Sequence, residues 1–147
     1  MTLLPRTGRL LALDWGEIRI GLAASDETQL LASPLETVSR RAGKRYPMPA
    51  LLELITRHAI VGLVVGLPLT PEGDEGHSAR EARTLGDLVA GRSGLPVEFW
   101  DERMTTARAL RSIQEQGGST RGRKDDVDAL AAAVLLQGYL DARRARP

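Results

Sequence analysis

LLALDWGEIRIGLAAS, Leu10 to Ser25, sets two short aliphatic runs on either side of Gly16 and Glu17. Runs of this kind, broken by a glycine and a polar residue, predict two strands joined by a tight turn. The first run ends in Asp14, directly before Trp15 and Gly16, so a strand that reads as buried closes on a carboxylate. The rest of the chain has to supply the reason for that acid.

Downstream, LLASPLETVSR (Leu30 to Arg40) predicts a third strand. In ALLELITRHA, Leu51, Leu54, Ile55 and His58 fall on one face of a helix that starts at a proline, Pro47 or Pro49. IVGLVVGLP has no polar break, as suits a central parallel strand covered on both faces. After the polar loop TPEGDEGH, Ser78 and Glu81 have capping-box spacing, and AREARTLGDLVAGR continues as a helix ending near Gly91 or Gly94. PVEFW predicts a further strand. TTARALRSIQEQ predicts a helix stopped by Gly117 and Gly118, and DDVDALAAAVLLQGYLDAR a longer, alanine-rich one. A three-strand meander that feeds helix and strand crossovers makes an α/β fold with one mixed sheet. At 147 residues the chain is expected to form a single domain, 1–147.

Composition excludes several chemistries. Without cysteine there are no disulfides and no thiolate-bound metals, so any metal rests on oxygen or histidine ligands. The apolar run Leu10 to Leu13 is too short for a signal segment or a membrane span, and a cytoplasmic protein with no membrane partner is expected. Twenty basic and nineteen acidic residues leave a net charge of +1, so bulk charge does not argue for nucleic acid. No GxGxxG follows a strand, which disfavours a dinucleotide site.

Chemistry in open α/β sheets gathers at the carboxyl ends of the strands. Asp14 ends the first strand, Asp101 and Glu102 end PVEFW, and Asp128 lies in the first turn of the last helix, on a stripe with Ala131, Ala132, Leu135 and Tyr139. Carboxylates brought together repel unless a cation compensates, and hard oxygen ligands suit Mg²⁺ or Mn²⁺. Two such ions about 4 Å apart can activate water and stabilise the leaving oxygen at phosphorus. The plainer alternative is a strand-end acid, two solvated acids and a helix-dipole cap.

The stretches LALDWGEIRIGLAAS, VVGLPLTPEGDEG, DERMTT and VDALAAAVLLQGYL, in this order and spacing, resemble the YqgF/RuvX family over nearly the whole chain. That resemblance implies an RNase H-like (RuvC-type) fold and a nuclease. Such a nuclease would either mature the 5′ end of pre-16S ribosomal RNA or resolve Holliday junctions. Carried over by residue, it implies Asp14, Glu102 or its neighbour Asp101, and Asp128 as catalytic and metal-holding acids. Glu102 is favoured over Asp101, and Arg103 is a candidate contact to the scissile phosphate. Thr70 and the pair Asp125–Asp126 depart from the family pattern; Asp125, one turn before Asp128, is either an auxiliary metal ligand or a helix-dipole charge.

Two basic clusters, Arg40 to Arg45 and Arg121 to Lys124, lie in glycine-containing connections. The second, with Arg121, Arg123 and Lys124, leads into the Asp128 helix and suits a phosphate backbone. Trp15 and Trp100 each adjoin a candidate acid, where an exposed indole would stack a base and a buried one would fill the core. His77 is expected in solvent, and His58 among leucines. Two other classes compete with the nuclease. An actin-like ATPase shares the DxG hairpin but needs two such domains, and a non-catalytic module would bind ribosomal RNA or a protein. The partner expected is an rRNA precursor or branched DNA, with the chain a monomer or a homodimer.

Overall fold

The computed structural model describes residues 4–40, 45–102 and 124–145. The elements are β1 (Arg9–Asp14), β2 (Arg19–Ser25), β3 (Ala32–Ser39), α1 (Met48–Arg57), β4 (Ile60–Leu67), α2 (His77–Ser93), β5 (Val97–Asp101) and α3 (Lys124–Arg144). The strands form one sheet in the order β3-β2-β1-β4-β5. The β1–β2 and β2–β3 pairs are antiparallel, whereas β1–β4 and β4–β5 are parallel. This mixed five-stranded sheet with helices on both faces is the expected α/β architecture. The helix expected over TTARALRSIQEQ lies outside the described residues.

Strand alternation divides the apolar residues between two cores. Leu11, Leu13, Ile20, Leu22, Leu63 and Val65 face α1 and α2, where Leu51, Leu54, Ala82 and Leu85 meet them. Leu10, Ala12, Ala23 and Val64 face α3, where Ala131, Ala132, Leu135, Leu136 and Tyr139 pack. β1 is thus buried on both sides, which is why its run shows no polar alternation. The small-residue stripe expected on the last helix faces the sheet, and its alanines bring α3 close to the strands.

Local signals worked where one backbone feature decides. Pro47 caps α1 and Pro49 lies in its first turn, while Gly94 closes α2 in the left-handed conformation. Pro34 sits in β3, the edge strand, beside a register shift that leaves Leu35 as the extra residue. The capping box at Ser78 and Glu81 is corrected. α2 starts two residues earlier, with Gly76 at the N-cap and no side-chain cap, and Tyr46 donates to the Glu81 carboxylate at 2.9 Å.

The β2–β3 turn hangs on Asp26. Its carboxylate accepts from the Thr28 hydroxyl and from the backbone N–H of Leu30 (2.8 Å) and Leu31 (3.0 Å). These bonds, that from Thr28 first, hold its pKa down at about 2 against an ordinary 3.8. A folded-state pKa below the unfolded one adds stability that is present above pH 3.8 and is lost as the pH falls towards 2. An NMR titration of the Asp26 carboxyl is expected to show a midpoint near 2, moving up towards 3.8 in Thr28→Ala.

Candidate active site

Asp14 is the last residue of β1, and two glycines stand beside it on the neighbouring strands. Gly21 of β2 is its register partner, and Gly66 of β4 follows Val65, the partner of Leu13. Both glycines leave room for another element. A Cβ on Gly21 would lie 2.1 Å from the backbone carbonyl oxygen of Asp128, so α3, which starts at Lys124, rests directly on β2 at its second turn and not at the first turn expected for Asp128. A Cβ on Gly66 would lie 2.9 Å from Cγ of Glu102 and from Cδ2 of Leu135. Asp14 is 4% exposed and Glu102 is 1% exposed.

Register also separates the two adjoining acids of β5. Trp100 is paired with Gly66 and packs on the α3 side, edge-on to Tyr139 at 5.5 Å. Glu102, two residues on, lies over Gly66 on that same side. Asp101 is paired with Leu67, whose side chain belongs to the opposite core, and is half-buried. Glu102 therefore shares a face with Asp14, and Asp101 starts from the other one.

Asp128 approaches from above. Its Oδ2 accepts from Nε of Arg19 at 2.7 Å, with the two side chains 15% and 22% exposed. Arg19 lies two residues before Gly21 and so on the same sheet face. Three carboxylates thus converge on one face from β1, the end of β5 and the start of α3. Among the described residues, however, no three His, Asp or Glu side chains are arranged to hold one metal ion. The side chains of Lys124 and Asp125 lie outside the described set, as do Arg103, Arg121 and Arg123 entirely.

Two candidate nucleic-acid contacts are corrected. Trp15 is 3% exposed: one residue past Asp14, alternation turns it to the α1–α2 core, so the indole is not an open stacking surface. Its Nε1 donates to the Tyr46 hydroxyl at 3.3 Å, and His77 packs edge-on at 6.1 Å. Arg40, first of the basic cluster, is buried as well. Its guanidinium stands 5.3 Å from the Trp15 ring and 4.7 Å from the Tyr46 ring, and donates to the carbonyls of Gly16 (3.1 Å) and Glu17 (3.2 Å). Burial pushes the Tyr46 hydroxyl above its ordinary pKa, and Glu81 adds to the shift. Arg40 thereby clamps the turn that follows Asp14 from inside the protein. His77 is exposed, as expected.

Sequence reading missed Arg19 and this internal network. A trace of Arg19 was available, since alternation from Gly21 sets it on the Asp14 face. Nothing local marks Arg40 as internal. Arg40→Ala is expected to cost about 2 kcal/mol, because it strands two turn carbonyls, and a urea midpoint would read the loss. The salt dependence of nucleic-acid binding should stay unchanged in that variant, since the guanidinium is not on the surface.

Comparison with known proteins bears on the family and the fold. A protein of Symbiobacterium thermophilum whose name proposes a pre-16S rRNA nuclease is 45% identical over 139 residues, covering 95% of this chain and 96% of that protein. One of Anaeromyxobacter sp. with the same name is 43% identical over 137 residues, covering 93% and 99%. Among solved structures, Thermus thermophilus RuvC in complex with a Holliday junction substrate superposes with a TM-score of 0.56 at 18% identity, covering 93% of this chain and 96% of that one. At that identity the likeness speaks for the RNase H-like fold alone. The family model described as RuvX, Holliday junction resolvase, matches residues 8–142, and the chain belongs to that family.

Proposed function

We propose that this chain is a metal-dependent nuclease that hydrolyses phosphodiester bonds, and that its substrate is the 5′ end of pre-16S rRNA. The observation that carries the reading is Asp14 flanked by Gly21 and Gly66, with Asp128 and Glu102 brought over those two glycines. The names of the relatives support the RNA substrate.

Asp14, Glu102 and Asp128 would hold Mg²⁺ or Mn²⁺, as one ion or two, with Asp125 as an auxiliary ligand. The donor set fits in its chemistry: it is all hard carboxylate oxygen, and the two glycines let the Asp128 backbone and the Glu102 side chain close over the strands beside Asp14. When bound, such ions lower the pKa of water and neutralise charge that develops at phosphorus. The chain's own residues do the rest. Asp14, fixed at a strand tip with its turn clamped by Arg40, provides the rigid anchor. Arg103, Arg121, Arg123 and Lys124 would lie along the phosphate backbone and make affinity fall as salt rises. Hydrolysis places the oxygen of water on phosphorus and releases one ester oxygen as a hydroxyl, with the proton of water passing to it or to solvent. A precursor RNA would set this work in the cytoplasm. No described helix is long and apolar enough to cross a membrane.

A second reading, cleavage of branched DNA, is favoured by the description of the matched family and by the junction held in the Thermus structure. A junction needs two symmetric cuts and so a two-fold dimer, whereas trimming RNA needs only a monomer. The test incubates the purified protein with a labelled RNA spanning the precursor end and, separately, with a four-way DNA junction, in Mg²⁺, Mn²⁺ or EDTA. Cleavage of the RNA that EDTA abolishes is the expected result. Cleavage of the junction alone selects the second reading. Binding of nucleic acid without any cleavage would sink both and leave a non-catalytic module.

A further inference from the structure

The pair between Arg19 and Asp128 stands where it obstructs the proposed site. Asp128 is the fifth residue of α3, one turn in from its N-terminus. The two side chains are 22% and 15% exposed, so the contact is only partly screened by solvent. Arg19 projects from the face that carries Asp14 and Gly21, and its Nε is 2.7 Å from Oδ2 of Asp128. A divalent ion ligated by that carboxylate would sit within a few ångströms of the guanidinium, and two cations at that separation repel strongly.

We propose that Arg19 is a placeholder cation: it occupies Asp128 in the metal-free protein and has to release that carboxylate when a divalent ion binds, so that it sets the metal affinity of the site. The proposal rests on the reading of Asp128 as a metal ligand. It makes Arg19 a positioning residue that acts through Asp128. Coupling of this kind is a difference between two bound states, so removing the competitor should tighten the ion.

The test is a Mn²⁺ titration of the intact protein, reading free Mn²⁺ by electron paramagnetic resonance, with circular dichroism to confirm folding. Arg19→Gln is expected to bind Mn²⁺ about tenfold more tightly than the wild type. In an Asp128→Asn background the same substitution is expected to change nothing, since the contact it relieves is already gone. Should the glutamine variant fail to fold, Arg19→Lys, which keeps a cation without the planar fork, is expected to tighten Mn²⁺ about threefold. A structural loss would not improve affinity. Equal or weaker binding in the Arg19 variants, with Asp14→Asn still abolishing it, would overturn the inference and leave the metal reading standing. Tightening that persists in Asp128→Asn would also overturn it, as a general charge effect. Absence of Mn²⁺ binding by every protein at millimolar metal would overturn the metal reading and this inference together.

Discussion

Asp14→Asn is expected to lower nuclease turnover at least about a thousand-fold, equivalent to about 4 kcal/mol of barrier, while the protein stays folded. Asparagine has nearly the shape of aspartate, so the end of β1 and its pairing with Gly21 should survive. What it lacks is the negative charge that a hard cation at the strand tip would need. Removing one of three carboxylates from a single face also relieves repulsion, so the urea midpoint should hold or rise. Loss of cleavage with an unchanged midpoint is therefore the signature. A variant that cuts at more than a tenth of the wild-type rate would remove Asp14 from the chemistry.

Gly21→Ala is expected to be the most damaging single methyl in the described part of the chain, costing about 3 kcal/mol of stability together with most of the activity. The new Cβ would lie 2.1 Å from the Asp128 carbonyl oxygen and 2.6 Å from its carbon. Both are backbone atoms of the turn that presents Asp128, so no side chain can swing away and the helix itself must move. Displacing α3 also opens its contacts with β2 and carries Asp128 off the face of Asp14. Gly91→Ala is the control. It adds the same methyl to an exposed helical position with nothing within 4 Å and should gain about 0.5 kcal/mol. If Gly21→Ala proved as harmless in urea as Gly91→Ala, the close approach of α3 to β2 would be refuted.

Arg40 and Trp15 mark where sequence reading stops. Arg40 reads as a surface residue, a basic group in a glycine-containing connection, and Trp15, next to a candidate acid, reads as either a core indole or an open stacking face. Each is buried because β1 ends and turns at residue 14, which sends its neighbours to the α1–α2 side. The capping box failed too, and Glu81 pairs instead with Tyr46, far away in sequence.

Hydrophobic period, prolines and glycines were enough for the strands, the two early helices, the alanine face of α3 and the mixed sheet, because each is decided by a few consecutive residues meeting one local constraint. The same local reasoning brought Asp14, Glu102 and Asp128 forward as acids at element ends. Which of two adjacent acids shares a face with Asp14, which arginine meets Asp128, and which arginine is internal were decided only by the tertiary structure. Those outcomes depend on register between strands distant in sequence, where a shift of one residue moves every side chain to the opposite face.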